Sequence, residues 1–342
     1  MDHIWYNLGR SLPHPIDRAA TEELDFQLGH GADLGIMPSF SDPGARSGYA
    51  LGLFCRVSLL ADLLMNTGDI LPPVFAKDFN DLLCIHDKSE STESSTCRLV
   101  SIGGACGYDF VSAALAATFH SSGDNAKVIA TVFDYEEGWA DLVDALSAAA
   151  RDVLPSNGLS CHFGGKCDIT KSLSHASNAG CLQTVKSTDL WTCQYCIAEN
   201  ALQLRESNFC FFEDLFRETK DGALFVFTET THRVWPELLD VVLALQNDNV
   251  DDKSEPLGRK NDLSFEVAFP SVGGRNKTGR QMIIRKKTGA IINQEQLALC
   301  DEFRRDSQKH NERVRKGIVR QKRKVRRDWT RRSNVLIGPR DH

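Results

Sequence analysis

Three groups of residues have the types and spacing to do chemistry. The first is the run Ser101-Ile102-Gly103-Gly104-Ala105-Cys106-Gly107. Glycines at such positions let a backbone turn sharply and let a ligand approach it closely. The second is a set of carboxylates near the ends of apolar runs, Asp134, Asp168, Asp189 and Glu199. An ionised carboxylate accepts hydrogen bonds from hydroxyl or amino donors, or takes up a proton. The third is Cys161-His162 with Cys167, and the pair Cys193-x-x-Cys196. A structural zinc site needs two such pairs at short spacing, and no second pair stands at that distance, so buried free thiols are the expected state. His162, His232 and Trp235 are secondary candidates; the alternative for a lone histidine beside a strand is a surface or satisfied core group.

The elements around these residues decide what they face. Arg98-Leu99-Val100-Ser101-Ile102 reads as a buried parallel strand, and a small-residue helix follows over 109–120. That puts the glycine bend at the carboxyl end of a first strand, where open α/β sheets bind nucleotides. Its glycines fit neither the hydride-cofactor spacing, since Ala105 and Tyr108 interrupt it, nor a P-loop, since no Gly-Lys-Ser/Thr follows. Further strands are expected at 127–133, 159–163, 189–193 and 222–228, with helices at 138–153 and 198–219 between them. This alternation implies right-handed crossovers and a parallel sheet covered on both faces. The runs 263–269 and 280–285 are joined by a glycine-containing turn (Gly273, Gly274, Gly279) too short for a helix, so they form a hairpin and the last strand is antiparallel.

Upstream, residues 1–46 are rich in Gly, Pro, His and Asp without periodicity and read as irregular. An amphipathic helix is expected over 48–66 and another near 74–83, then a Ser/Thr-rich connector over 88–96. The chain thus divides into an irregular segment (1–46), a helical extension and linker (47–96), the main domain (97–290) and a helical tail (291–342). The most apolar stretch, 49–65, carries Arg56 and Asp62 and is too short to span a bilayer, and no secretory leader is apparent. With 42% apolar and 25% charged residues among 342, and 11 irregularly spaced cysteines, the expectation is an intracellular protein with reduced thiols, in nucleus, nucleolus or cytoplasm.

Charge is unevenly spread. Residues 303–334 hold fourteen Lys/Arg against three acids, or +11, which leaves −17 for the rest of a chain whose total is −6. A cationic tail attracts polyanions by counterion release. Arg320, Lys322, Arg323, Lys324, Arg326 and Arg327 are its densest part, and RNA contact and a nuclear-import signal are both open to it.

The spacing Gly103-x-Ala105-x-Gly107, with the expected hairpin-ended sheet, resembles the class I S-adenosylmethionine-dependent methyltransferases over about residues 97–287. The resemblance implies a Rossmann-like α/β fold: a seven-stranded, mostly parallel sheet with an antiparallel last strand, here with an N-terminal helical segment and a basic C-terminal helical tail. It implies S-adenosyl-L-methionine as cofactor, held by Ser101, Gly103, Gly104, Ala105, Gly107, Asp134, Tyr135, Asp168 and Asp189. Asp134 would hold the ribose hydroxyls and Asp168 the adenine amino group, and Asp189 would face methyl donor and acceptor. Two departures stand out: Ser101 replaces the acid usual at the start of the loop, and Ala105 replaces a glycine. Neither the Asn/Asp-Pro-Pro-Tyr tetrapeptide nor a cytosine-C5 Pro-Cys pair is present. The phrase Asp189-Leu190-Trp191-x-x-x-Tyr195-x-x-x-Glu199-Asn200 is similar to eukaryotic rRNA uridine-N3 methyltransferase-like proteins, which would make Asp189, Tyr195 and Glu199 the catalytic candidates, Glu199 as general base. Three functions follow as expectations: an RNA methyltransferase gripping phosphates with its tail, a methyltransferase of proteins or small molecules, or a non-catalytic interaction protein of the same fold.

Overall fold

The protein is seen here in a computed structural model that describes residues 1–34, 38–83, 96–120, 127–154, 158–230, 233–247, 263–270 and 280–336. Seven strands form one sheet: β1 (Cys97–Ile102), β2 (Lys127–Asp134), β3 (Gly158–Lys166), β4 (Leu190–Gln194), β5 (Leu224–Glu229), β6 (Phe265–Ala268) and β7 (Arg280–Lys286). Their order is β3-β2-β1-β4-β5-β7-β6. The first five run parallel, and β7 is antiparallel to both β5 and β6. This is the expected mostly parallel sheet with a reversed last strand; β7 slots inward, so β6 forms the edge.

Alternate side chains of each strand enter different cores, because successive Cβ atoms point to opposite faces. Leu99, Ala130, Val132 and Leu190 pack under the helices Tyr108–His120 and Ala140–Val153 and the N-terminal helices. Val100, Ile102, Phe133 and Trp191 enter the other core, with Phe212, Phe216, Phe225 and Trp235. With both faces covered, ligand access is left to the strand ends.

The segment read as irregular, 1–46, is instead largely helical: Asp2–Arg10, Arg18–Leu34 and the start of Pro43–Gly52. Ile4 and Leu8, four apart, are buried, and Asp42 caps the third helix by accepting the Ala45 N–H at 2.7 Å, with Pro43 in the first turn. A glycine here serves close packing rather than irregularity: a Cβ on Gly44 would stand 2.8 Å from Asp17 Cβ. The helix expected over 48–66 is two, Pro43–Gly52 and Arg56–Met65, bent by 44°. At the break the Tyr108 hydroxyl stands 3.1 Å from the Ala50 carbonyl and 2.9 Å from that of Tyr49, which also accepts the Leu53 N–H at 3.0 Å.

The helix expected over 198–219 is also two, Ala201–Glu206 and Cys210–Glu218. Asn208 and Phe209 are left-handed between them (φ 52° and 56°), and Phe209 N–H reaches back to the Leu204 carbonyl at 2.8 Å. The tail is a single 43-residue helix, Gln294–Leu336, about 65 Å long at the usual rise. Its start is anchored by buried Cys300 and by Arg304 paired with Asp240. From Arg305 to Gly317 its described side chains are exposed or half-buried. The side chains of Arg320 and of 322–327 lie outside the described ones, as do His232, the turn at 271–279 and connector residues 88–95. No single helix among the described residues is long and apolar enough to cross a membrane.

Candidate active site

A crevice of about 590 Å³ opens at the carboxyl ends of β1, β2 and β4. Its walls come from the glycine bend (Gly103, Ala105), the end of β2 (Asp134, Tyr135, Glu136), the loop after β3 (Cys167 to Lys171) and the end of β4. The fifth wall is N-terminal: Pro38, Ser39, Phe40 and Tyr49 close it against Trp139.

The bend is held to β2 by the N–H groups of Gly103 and Gly104, at 2.8 and 3.3 Å from the Phe133 carbonyl. Gly103 (φ 61°) has no room for a side chain, since a Cβ would meet Cys196 Sγ at 2.5 Å. Ala105 also adopts positive φ (47°), and its N–H donates to Asp134 Oδ2 at 3.0 Å. Asp134 Oδ1 accepts the Glu136 N–H at 3.0 Å. Each carboxylate oxygen therefore holds one backbone donor and keeps a second lone pair toward the crevice, which suits a vicinal diol. Burial pushes the Asp134 carboxyl up to about 6, against the pull of those two N–H groups. Asp168 lines the same crevice, its Oδ1 accepting from the N–H and Oγ1 of Thr170 at 3.0 and 2.6 Å. Tyr135 lies 63% exposed over the rim, with Lys166 Nζ 4.4 Å from its ring centre.

At the end of β4 the chain turns through Tyr195, whose left-handed backbone (φ 58°) is uncommon for an aromatic residue. The Tyr195 N–H donates to the Thr228 carbonyl at 2.7 Å. Arg56 lies over its ring, 4.2 Å from the centre, and 5.3 Å from that of Tyr49, to whose hydroxyl it donates. Burial pushes the Tyr195 phenol up to about 12. Glu199, also on the wall, is pushed up to about 8 by burial and by the charge of Glu229, with Arg56 acting against them. Glu229, buried at the end of β5, is pushed up to about 7 by burial and ties down the loop after β4 by accepting the Ala198 N–H at 2.9 Å.

Gly103, Ala105, Asp134, Tyr135, Asp168, Tyr195 and Glu199 thus meet in one crevice. Asp189 does not. It stands at the amino end of β4, where its Oδ2 accepts the Arg98 N–H at 2.7 Å and its Oδ1 pairs with Lys220. That corrects its expected place facing donor and acceptor: five residues of strand separate it from the crevice end. Ser101 is buried in the sheet, and its hydroxyl donates to Asp109 Oδ2 at 2.6 Å rather than facing the crevice. Gly104 and Gly107 shape the bend without lining the cavity. His162 pairs with Thr131 Oγ1 at 3.1 Å on β3, and Trp235 is core. Among the described residues ten cysteines are free thiols, Cys196 on a crevice wall, and no metal-ligand cluster occurs.

Phe40, Tyr49, Arg56, Trp139, Gln194 and Glu229 line or adjoin the crevice, and the sequence pattern did not single them out. Arg56, a charge inside an apolar run, and Gln194, a polar end to an apolar strand, were the available signals.

No family model and no curated protein matches the sequence. Among solved structures the chain is similar to an O-methyltransferase family protein from Burkholderia thailandensis (12% identity, 84% of this chain and 69% of that one, TM-score 0.41). It is similar also to a ribosomal protein L11 methylase from Lactobacillus delbrueckii subsp. bulgaricus (11%, 68% and 79%, TM-score 0.34). A third is a SAM-dependent O-methyltransferase from Thermotoga maritima (13%, 68% and 72%, TM-score 0.32). Likeness at this level concerns the path of the chain and says nothing of a substrate.

Proposed function

We propose that the protein is an S-adenosylmethionine-dependent methyltransferase acting on RNA. The observation that carries the cofactor is Asp134: its buried carboxylate closes β2 beside a positive-φ bend in the crevice, with one lone pair on each oxygen free for a ribose diol. The remaining walls fit the same group, because Asp134, Glu136 and Asp168 against Lys171 make the lining acidic and so complementary to a sulfonium cation. S-adenosylmethionine supplies, when bound, an electrophilic methyl group whose leaving group is a neutral thioether.

What remains for the chain is to orient the acceptor and remove its proton where one must go. Glu199 has the place and the basicity for that proton, and Tyr195, fixed by its backbone turn and by Arg56, forms the wall beside it. RNA as acceptor is supported by the +11 charge over residues 303–334, carried on a helix that leaves the domain after Arg304.

Two measurements test this reading. Titration with S-adenosylhomocysteine should give binding that Asp134→Ala weakens on the order of 100-fold, since two charge-assisted hydrogen bonds are lost. Undiminished binding by that variant removes the cofactor assignment. Radiolabelled methyl transfer to total RNA and total protein, from cells lacking the activity, should label RNA. Replacing Lys322, Arg323, Lys324, Arg326 and Arg327 with glutamine should flatten the salt dependence of RNA binding; label in protein alone removes RNA.

A further inference from the structure

The resemblance expects an acid where this chain has Ser101, and the structure holds a negative charge close by. Asp109, in the first turn of the Tyr108–His120 helix, is 2% exposed. Three side chains donate to it: Ser101 Oγ at 2.6 Å, Thr192 Oγ1 at 2.5 Å, and Gln194 Nε2. A carboxylate ringed by three donors fixes the amide of Gln194, since only its NH₂ group can face Asp109. Its carbonyl must then point away. Gln194 is 9% exposed and lines the crevice, and its Oε1 is buried without a hydrogen-bond partner. A buried, unpaired carbonyl oxygen costs stability, and a donor brought by a ligand in the crevice would relieve that cost.

The strand order says which donor. Asp134 closes β2, the glycine bend closes β1, and Gln194 closes β4, in the spatial order β2-β1-β4. From the carboxylate suited to a diol to the unpaired carbonyl is two strand spacings, about 10 Å. A ligand crossing the bend therefore presents its hydroxyls at one end and a hydrogen-bond donor at the other. Asp109 also polarises the amide through the Nε2 hydrogen bond, which makes Oε1 more negative and favours a cationic donor over a neutral one.

We propose that Gln194, oriented and polarised by buried Asp109, is the binding residue for the α-ammonium group of the amino-acid end of an adenosyl amino-acid ligand. This rests on the cofactor reading above and adds to it how the chain compensates for Ser101: the charge has moved eight positions along the sequence and acts through an amide.

The test compares two ligands on the full-length protein by calorimetric titration: S-adenosylhomocysteine and its analogue with the α-amine replaced by hydrogen. The wild type should favour the amine-bearing ligand by about tenfold or more, the value of a hydrogen bond to a charged group. Gln194→Met, similar in volume but with no strong acceptor, should bind both ligands with nearly equal affinity, at the level of the analogue on the wild type. Asp109→Asn, which keeps the shape and removes the charge, should give an intermediate preference. Melting curves and near-ultraviolet dichroism verify that each variant is folded; should Asp109→Asn fail to fold, Gln194→Met alone decides. A folded Gln194→Met protein that retains the wild-type preference overturns the assignment, as does a wild type that binds both ligands equally. Binding of neither ligand overturns the cofactor reading itself and the role of Gln194 with it.

Discussion

The two ends of β4 carry similar residue types and do different work. At the amino end Asp189 is a carboxylate 18% exposed at its side chain, committed to the Arg98 N–H and the Lys220 ammonium. At the carboxyl end Glu199, shortly beyond Gln194 and Tyr195, is a carboxyl group with no ion pair among the described residues, on the wall of a crevice, with its affinity for protons raised. The difference lies in what the sheet leaves open. Parallel strands point their last carbonyls and the following loops at one edge, where ligands enter, while the opposite edge is closed by turns and ion pairs. A carboxylate at the closed edge is spent on holding strands together; one at the open edge is free to bind or take a proton.

The largest effect should therefore come from the open end. Glu199→Gln keeps size and polarity but removes the base, and methyl transfer should fall by roughly 100-fold or more, the usual contribution of a positioned general base. In the wild type the rate should rise with pH through about 8, because Glu199 must lose its proton to act, and the variant should lack that rise. Stability runs the other way. The folded value lies above the 4.5 of an ordinary glutamate, so the folded state binds the proton more tightly and loses stability as pH climbs from there towards about 8. Glu199→Gln should flatten that decline. A wild-type rate that is level from pH 6 to 9 would erase the distinction between the two ends.

At the closed end the expectation is reversed: Asp189→Ala should leave methyl transfer within about twofold while lowering stability by about 1–2 kcal/mol, since a half-shielded ion pair and one strand-end hydrogen bond are lost. Chemical denaturation read alongside the transfer assay checks it. Loss of transfer with unchanged stability would place Asp189 back among the acting residues.

How far the sequence revealed this follows the same division. Hydrophobic alternation and small-residue turns located every strand, and the glycine spacing located the bend, because these signals are local. Asp134 was legible for the same reason, as the polar stop of an apolar run. The expected place of Asp189 came from the resemblance, whereas the inferred parallel sheet already puts a residue that opens β4 at the end away from the crevice. The helices within 1–46 were hidden because their glycines, which usually mark turns, here permit contact such as that of Gly44 with Asp17. Arg56 and Tyr49 are distant in sequence from Tyr195 and meet it only after the N-terminal helices fold back, a contact no spacing encodes.

That contact sets the smallest and sharpest test. Glu199 is faced by Glu229 from the end of β5, by Asp134 from the end of β2, and by Arg56 from the Arg56–Met65 helix. Burial and the two acids hold its proton on; Arg56 alone pulls toward ionisation. Arg56→Met retains much of the packing against the Tyr49 and Tyr195 rings and removes the charge, so Glu199 should titrate above about 8 and the rising limb of the rate should move to higher pH. Transfer should then be reduced at pH 7 and approach the wild-type rate once the pH exceeds the new limb, with Arg56→Lys in between. A purely structural role for Arg56 would instead lower the rate equally at every pH. A uniform loss would assign Arg56 to holding the N-terminal helices in place, and the open end of β4 would then owe its chemistry to the sheet alone.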